Sequence, residues 1–442
     1  MKPHRYRWFL PILILILCPS LAMAQAKYLG SETCKACHSG IYEKWKMTLH
    51  NKSQQEQSDR NDTVVVDWKG VLRLKGGNIP EYTVKLTRGK DGSYQATLVD
   101  TKNPAREVTY RVVRTYGGWG WKQRYQVKIG NSHYILPIQW NQTTSRWVTY
   151  NPQWWYNEDG SLKQPQVKDS FEMGCAGCHN TGLELIKTDK GYEAKYVELN
   201  AGCEKCHGPG SEHIGATTNK RKILNPKWLV YDRANEVCGQ CHSRGVSKPN
   251  GTFGYPVNDK DIKPYTVGAV LTDFYQFKPG EWGGMKAHAK SHHQQWHDLQ
   301  RSKHWGKTTC YTCHDPHGGP SVSQLIKADY DNELCLSCHG RKDKFANPGA
   351  IRKHTKHNYA PEVVGLSRCS SCHMVKTAAS AEAGDVHSHD FKIIKPAESL
   401  EMFKEDPKNV VSNSCNGCHK NWAKDEAGYT AGVRAYEKIF GK

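Results

Sequence analysis

The chain has 442 residues, of which 37% are hydrophobic, and a formal net charge of +19 at pH 7. Lysine and arginine are spread along the whole chain and not gathered on one element, which argues against a nucleic-acid-binding protein. The hydrophobic fraction is below that of an ordinary globular enzyme of this length, so part of the core must come from something other than aliphatic side chains.

Residues 1–24 have the pattern of a Sec signal peptide. Lys2, Arg5 and Arg7 form a basic start, an apolar run of about 11 residues follows, and Ala22 and Ala24 suit a signal peptidase. The run is shorter than the roughly 20 residues that cross a bilayer, so we expect export without a retained transmembrane span. The expected location is the periplasm, with the cell surface or extracellular space as the alternative. Without the three basic residues of the leader the charge is +16.

Residues 25–54 carry the first copy of a five-residue pattern, Cys34-x-x-Cys37-His38, whereas residues 55–170 contain no cysteine. Alternating or β-branched runs recur in this second segment, separated by turn signals such as Lys90-Asp91-Gly92. They predict a β-rich insert. The predicted strands are 63–68, 82–87, 94–99, 108–113, 125–129, 134–139 and 147–150.

Residues 171–425 carry the other copies of the pattern, and residues 426–442 form a polar C-terminal tail for which we predict a short helix. Glycine, proline and polar residues from Pro249 to Gly284 predict a long loop. A helix is predicted from Met285 to Trp305. On a helix, His293, His297 and His304 would share one face.

The pattern Cys-x-x-Cys-His occurs eight times and uses 16 of the 17 cysteines, and the remaining one, Cys18, lies in the leader. Two thiols at this spacing add to the two vinyl groups of one haem, and the histidine that follows becomes an axial ligand of the iron. A structural zinc protein would pair its Cys-x-x-Cys units and would not need the histidine each time. The sequence therefore predicts eight covalently bound haem c groups. The attachment cysteines are Cys34, Cys37, Cys175, Cys178, Cys203, Cys206, Cys238, Cys241, Cys310, Cys313, Cys335, Cys338, Cys369, Cys372, Cys415 and Cys418.

The proximal ligands predicted by the pattern are His38, His179, His207, His242, His314, His339, His373 and His419. The mature chain holds 13 further histidines, enough for a second histidine on every iron. Local context favours His50, His213, His293, His304, His317, His357 and His389. The eighth would come from His354, His387 or His297, while the alternative for each is a surface or packing histidine, and His133 is expected to be structural. Ligation by two histidines predicts low reduction potentials.

The spacing of the motifs also predicts the fold class. Seven of them fall within the 245 residues from Cys175 to His419, too few for a separate apolar core around each haem. We expect a multihaem cytochrome c, mainly short helices and loops wrapped around packed haems, with an inserted β-rich region. About 16 propionates from eight haems would offset most of the +16 charge.

Several stretches resemble a multihaem cytochrome c family that includes the tetrahaem cytochromes of ammonia oxidisers, the octahaem hydroxylamine oxidoreductases and the pentahaem nitrite reductases. These stretches are Gly202-Cys-Glu-Lys-Cys-His-Gly-Pro-Gly followed by His213, Cys310-x-x-Cys-His-Asp-Pro-His317, and His387-Ser-His-Asp-Phe391. The resemblance covers most of residues 28–425. It is specific for haem binding and not for a reaction.

Three functions remain open from the sequence. The first is electron transfer along mostly bis-histidine haems, with redox partners such as quinol-linked or other multihaem cytochromes. The second is a reductase of nitrite, hydroxylamine or a sulfur oxyanion at one open iron. Related nitrite reductases carry lysine in place of the motif histidine at that iron, and all eight motifs here have histidine, which favours the carrier. A conduit subunit or an oligomer, docked through the β insert, is a third possibility.

Overall fold

The computed structural model describes residues 26–58, 62–216, 222–283, 288–328, 330–342 and 345–441. The predicted signal peptide, residues 1–24, lies outside these ranges. Within them, no helix has both the length and the apolar character needed to cross a membrane.

The predicted β-rich insert is an antiparallel sheet of eight strands, in the order β2 to β8 with β1 paired to β5. The strands are β1 (Gln54–Glu56), β2 (Gly70–Gly76), β3 (Ile79–Arg88), β4 (Tyr94–Val99), β5 (Glu107–Gly117), β6 (Lys122–Ile129), β7 (Ser132–Asn141) and β8 (Arg146–Thr149). Six predicted strands coincide with β3 to β8. The sequence missed β1 and β2.

The prediction of a strand at 63–68 is wrong, because this run packs as irregular chain across the sheet edge. Its Trp68 is buried, with 3% of its surface exposed, and the indole nitrogen donates to the carbonyl of Gln95 at 2.8 Å. Thr63 donates through its backbone and hydroxyl to Gln57, both at 2.9 Å. These side-chain contacts replace the ladder of a strand.

The sheet has a core of its own. Buried aromatic and aliphatic residues fill it, among them Tyr82, Leu98, Tyr125 and Trp155. The Tyr82 hydroxyl donates to the carbonyl of Pro137 at 2.7 Å, so its polar end is satisfied inside the core. This region needs no cofactor to bury its apolar side chains.

The rest of the described chain consists of short helices, short strand pairs and loops, as the sequence predicted. The helices are α1 (Ser31–Lys46), α2 (Leu49–Lys52), α3 (Phe171–Gly174), α4 (Ala176–His179), α5 (Cys203–His207), α6 (Ser211–Ile214), α7 (Tyr231–His242), α8 (Gln295–Arg301), α9 (Cys310–Cys313), α10 (Glu333–His339), α11 (Pro348–Thr355), α12 (Pro361–Val364), α13 (Cys369–His373), α14 (Pro396–Glu405) and α15 (Glu426–Phe440). The 3-10 turns are Pro152–Trp154, Val167–Asp169, Pro226–Trp228, Leu271–Asp273, Gly340–Lys342 and Lys420–Ala423.

Small antiparallel pairs join these helices. They are β9 (Asn180–Thr181) with β12 (Glu198–Leu199), β10 (Glu184–Thr188) with β11 (Gly191–Lys195), β13 (Gly245–Ser247) with β16 (Tyr275–Phe277), β14 (Val257–Asn258) with β15 (Lys263–Pro264), and β17 (Lys376–Ala378) with β18 (Val386–His387). The long loop expected from Pro249 to Gly284 therefore contains short strands, and its residue 284 lies outside the described ranges.

The helix predicted from Met285 to Trp305 is wrong over most of its length. Only α8 is helical, and residues 284–287 fall outside the described ranges. The backbone of His288 and His293 has φ of 65° and 63°, a left-handed conformation that a right-handed helix cannot contain. His293, His297 and His304 therefore do not share one helix face.

Candidate functional site

Seven of the eight cysteine motifs lie wholly or partly on a short helix. Motifs on α1, α5, α7, α10 and α13 are fully helical, and the last one, from Cys415 to Cys418, is a run of turns. Residues three apart lie on the same side of a helix, which presents both thiols to one group. None of the 16 cysteines in the described chain pairs with another in a disulfide.

Seven of the eight motif histidines face a second histidine ring. The ring centroids lie 6.0 to 6.4 Å apart in every pair. The pairs are His38 with His213, His242 with His50, His207 with His317, His339 with His304, His314 with His389, His373 with His354, and His419 with His357.

This separation fits a metal held between two imidazoles. An imidazole nitrogen binds a first-row metal ion at about 2.0 Å, and the ring centre lies on the order of 1 Å behind it, so two rings on one metal have centres roughly 6 Å apart. The rings are too far apart to stack on each other. The residues present therefore fit the haem iron that the cysteine motifs imply.

Among the sequence-predicted second ligands, His50, His213, His304, His317, His357 and His389 are in these pairs. His354, one of three alternatives for the eighth position, is in the seventh. The ring of His293 instead packs against that of His292, tilted by 56° with ring centroids 4.3 Å apart. The Nε2 of His297 accepts a hydrogen bond from the backbone of Arg244 at 3.1 Å, and the His387 ring contacts the carbonyl of Met374.

His133, expected to be structural, bonds to a buried carboxylate. Its Nδ1 lies 2.8 Å from Glu172, and Glu172 also accepts the backbone N–H of His133 at 3.1 Å. The contact ties β7 to α3, next to the second motif.

Backbone carbonyls fix several of the paired rings. The Nδ1 atoms of His207 and His314 donate to the carbonyls of Leu224 and Ser323, each at 2.8 Å, and Nδ1 of His389 donates to the carbonyl of His387 at 3.2 Å. A proton on Nδ1 leaves the lone pair on Nε2, the atom available to a metal. Burial lowers the pKa of His389 to about 3, which keeps the ring neutral and able to ligate.

His179 of the second motif has different surroundings. No other histidine ring in the described chain, which includes every histidine after residue 25, faces it at the spacing of the seven pairs. Its neighbour is the Tyr116 ring, edge-on at 5.3 Å. Burial, together with the charges of Arg124 and Lys205, lowers the pKa of His179 to about 4. The pair of His292 and His293 lies close enough for His179 to depress the pKa of His293, after burial and His242.

Basic side chains gather around this second motif. The Arg124 guanidinium stacks on the Tyr150 ring at 3.7 Å and its Nε donates to Gln139 at 2.8 Å. Burial, and then Arg124, lowers the pKa of Lys122 to about 6. Burial, and then His293 and the nearby basic side chains, lower the pKa of His292, whose carbonyl lies 3.4 Å from the Arg244 guanidinium.

The acidic groups nearest this cluster are already engaged. Glu172 is bonded to His133, and Asp385 accepts the backbone N–H groups of Ser380, Ala381 and Glu382. The cluster around His179 is therefore cationic or neutral, which suits a small anion.

Contacts between motifs repeat along the chain. Cysteines of different motifs lie close enough for one to raise the pKa of the other, and the pairs are Cys34 with Cys203, Cys178 with Cys241, Cys238 with Cys310, and Cys335 with Cys369. In three of these pairs, a side chain three residues before the first cysteine of one motif accepts a hydrogen bond from the other motif. The donor is the backbone N–H of that other motif's first cysteine. These acceptors are Ser31 for Cys203, Asn235 for Cys310 and Asn332 for Cys369. Attachment sites distant in sequence are thus held side by side.

Two family models match parts of the chain. The doubled CXXCH motif matches residues 304–344, and the family of cytochrome c554 and c-prime matches residues 33–71 and 139–208. Both matches cover cysteine motifs described above.

Two curated proteins are similar in sequence. The multiheme cytochrome MtrA of Shewanella baltica is 29% identical over 180 residues, 38% of this chain and 52% of that protein. The dissimilatory sulfite reductase MccA of Wolinella succinogenes is 22% identical over 411 residues, 79% of this chain and 50% of that protein. The chain spans about half the length of each of these relatives.

A solved structure shares the fold. The crystal structure of outer cell wall cytochrome OcwA superposes with a TM-score of 0.63 and 22% identity, and the match covers 93% of this chain and 86% of that one. The cysteine motifs, the paired imidazoles, the family matches and this fold agree with one another. The chain belongs to the multihaem c-type cytochromes.

Proposed function

We propose that this protein is an octahaem cytochrome that transfers electrons, with seven haems ligated by two histidines each and one, attached through Cys175 and Cys178, whose sixth position is exchangeable. The observation that carries the proposal is the set of seven ring pairs together with the differently surrounded His179. When bound, the haems supply one-electron redox centres.

The residues of the chain hold such centres in two ways. Neutral imidazoles, fixed by carbonyls in several pairs, present Nε2 from both sides. Cysteine pairs of different motifs lie in contact, which supports short distances between neighbouring haems. Electron transfer through the protein needs that proximity, and the contacts of Ser31, Asn235 and Asn332 maintain it.

The partners would be redox proteins, such as quinol-linked cytochromes or other multihaem cytochromes. Similarity to OcwA, a cytochrome of an outer cell wall, supports an exported protein at the periplasm or cell surface. The leader predicted for residues 1–24 agrees with export.

Three measurements test the proposal. Intact mass of the exported protein should show eight haem additions and no disulfide. Electron paramagnetic resonance of the oxidised protein should show low-spin iron for seven haems, and carbon monoxide should bind the reduced protein at one haem per chain. Fewer additions, or carbon monoxide at several haems or none, would contradict it.

A second function, reduction of a small oxyanion, is favoured by the cationic cluster beside His179. The cluster contains the guanidinium groups of Arg124 and Arg244, and its nearest carboxylates are engaged elsewhere. All eight motifs have histidine where related nitrite reductases carry one lysine. This favours a pure electron carrier only if every iron has two protein ligands, and no second histidine ring faces His179 within the described chain at the spacing of the seven pairs. MccA, which is similar over 79% of this chain, is a dissimilatory sulfite reductase, and that similarity supports the same class of substrate.

Steady-state assays with a low-potential dye would test this second function. We expect turnover of sulfite or nitrite within the usual enzymatic range of about 1 to 1000 per second. Arg124→Met should raise KM for the anions at least several-fold, and Lys128→Met, at an exposed position of the same strand, should leave KM unchanged. No turnover of sulfite, nitrite or hydroxylamine would leave the protein a carrier, and turnover of hydroxylamine alone would contradict an anion site at this cluster.

A further inference from the structure

The buried carboxylate of Glu204 joins two distant parts of the chain. Glu204 is in the third motif, between Cys203 and Cys206, and only 1% of its surface is exposed. Its oxygens accept the backbone N–H groups of Leu29 at 2.8 Å, Gly30 at 2.8 Å and Gly210 at 2.7 Å. Hydrogen bonds to an ionised carboxylate are about twice as strong as neutral ones.

The amides that it binds stand at the starts of two helices. Gly30 is the N-cap of α1, which carries Cys34, Cys37 and His38, and Gly210 is the N-cap of α6, which carries His213. His38 and His213 are the two rings of the first motif, 6.4 Å apart and inclined by only 16°. One side chain of the third motif thus holds the beginnings of both helices whose rings face each other.

Among the described residues, no hydrogen bond from Nδ1 fixes the orientation of the His213 ring. Its Nδ1 is buried and has no hydrogen-bond partner in the described chain, in contrast to the rings of His207, His314 and His389. The orientation of the His213 ring therefore depends on where the backbone of α6 is held. A second link supports the same placement, since the backbone of Lys27 donates to the Ser211 hydroxyl at 2.7 Å and accepts from the Ser211 N–H at 3.2 Å.

We infer that Glu204 is a positioning residue for the iron site of the first motif, although it belongs to the third motif. The inference rests on the proposed function, in which His38 and His213 ligate one haem. Replacing the carboxylate by an amide removes an acceptor and directs an NH2 group at backbone N–H donors. The start of α6 should then move away from that of α1, and His213 should leave the position facing His38.

Glu204→Gln, made in the full-length holoprotein, tests the inference. We expect all eight haems to stay covalently attached, because no attachment residue changes, and one haem of eight to turn from low-spin to high-spin by electron paramagnetic resonance. The lost low-spin signal should be the one that His213→Ala removes, and the double variant should match His213→Ala alone. Glu212→Gln, at an exposed position of α6, is the matched control and should leave all signals unchanged.

A purely structural role would give a different result. Glu204→Gln would then lower the denaturation midpoint while leaving every low-spin signal in place, or would alter the haem of the third motif, and either outcome overturns the inference. If His213→Ala itself leaves the spectrum unchanged, the proposed ligand pair is wrong. If Glu204→Gln yields no holoprotein, Glu204→Asp replaces it, because its shorter side chain cannot span Gly30 and Gly210. We expect the same change of one haem to high-spin, and a Glu204→Asp protein that keeps every low-spin signal would overturn the inference.

Discussion

Histidines that look equivalent in the sequence differ in what surrounds their rings. His304 faces His339 with ring centroids 6.0 Å apart, and its ring also packs against Phe391 at 4.3 Å. His293 has a left-handed backbone, and its ring packs at a tilt against that of His292. Both histidines were predicted to be ligands on one helix, but only His304 has the geometry of the seven pairs.

The two histidines should therefore respond differently to substitution. His304→Ala should convert one low-spin haem to high-spin without loss of haem, because the iron loses one of two imidazoles. His293→Ala should leave the seven low-spin haems unchanged, and it serves as the matched control. Electron paramagnetic resonance of the oxidised variants measures this, and loss of a low-spin signal in His293→Ala would refute the assignment of His179.

Asp100 provides a pH-dependent contact at the end of β4. Its carboxylate accepts the backbone N–H of Leu162 at 3.0 Å and those of Lys102 and Asn103 at 2.9 and 3.1 Å. The hydrogen bond from Leu162, followed by the other amides and Arg106, lowers the pKa of Asp100 below its usual 3.8, against an opposing effect of burial.

A carboxyl group whose pKa is lower in the folded than in the unfolded state stabilises the fold at pH values above its unfolded-state pKa. This contribution is lost as the pH falls through the folded-state pKa. Asp100→Asn should therefore lower the denaturant midpoint at neutral pH, and the difference from wild type should shrink as the pH falls below 3.8. Urea titrations of both proteins from pH 7 to roughly pH 3 measure this. A difference that does not change with pH would show that the charge of Asp100 is not what stabilises the loop.

At the scale of elements, the hydrogen bonds accepted by Ser31, Asn235 and Asn332 hold pairs of motifs together. Asn332, just before α10, accepts the N–H of Cys369 at 2.7 Å and donates to the carbonyl of Ser367 at 2.8 Å. It is buried, with 2% of its surface exposed. The helices α10 and α13 are too short to be stable alone, so such contacts fix their relative position.

Asn332→Ala should lower the free energy of unfolding by about 1 to 3 kcal/mol, because it leaves a buried N–H and a buried carbonyl without partners. Asn332→Asp keeps an acceptor for Cys369 but directs a buried carboxylate oxygen at the carbonyl of Ser367, so at neutral pH it should be at least as destabilising. Chemical denaturation followed by haem absorbance measures both variants. A free energy of unfolding of Asn332→Ala equal to that of the wild type would show that these contacts contribute nothing.

At the scale of the whole molecule, two regions obtain their cores from different sources. The sheet buries a large set of its own aromatic and aliphatic residues. In the haem-binding region, by contrast, two of the hydrophobic clusters are small. The buried residues of one are Trp282, Val375, Ile394 and Val411, and those of the other are Tyr265, Leu271 and Tyr275. Haem would have to supply the remaining apolar surface there.

Protein made without haem attachment should therefore be structured only in part. We expect hydrogen exchange by mass spectrometry to show slow exchange in peptides from β3 to β7 and fast exchange in peptides from α9 to α13. The holoprotein is the control and should be protected in both regions. Fast exchange throughout the apoprotein would mean that the sheet also depends on haem.

The sequence by itself determined the chemistry of the cofactor and much of the sheet. Cys-x-x-Cys-His is a local pattern, so haem attachment follows from adjacent residues, and the alternation of β3 to β8 depends only on neighbours in the chain. The division at residues 55 and 170 and the count of eight haems stay predictions. The run at 63–68 shows the limit of such patterns, since the packing of Trp68 outweighed its strand propensity.

The tertiary structure decided which histidines face each other. His314 meets His389, and His38 meets His213, because distant segments are held together by contacts that local patterns do not encode. For the same reason the sequence could not show that His354 has a partner in His373, that His179 faces Tyr116, or that Glu204 connects α1 with α6. A second ligand is selected by position in space, and that position depends on long-range hydrogen bonds and packing.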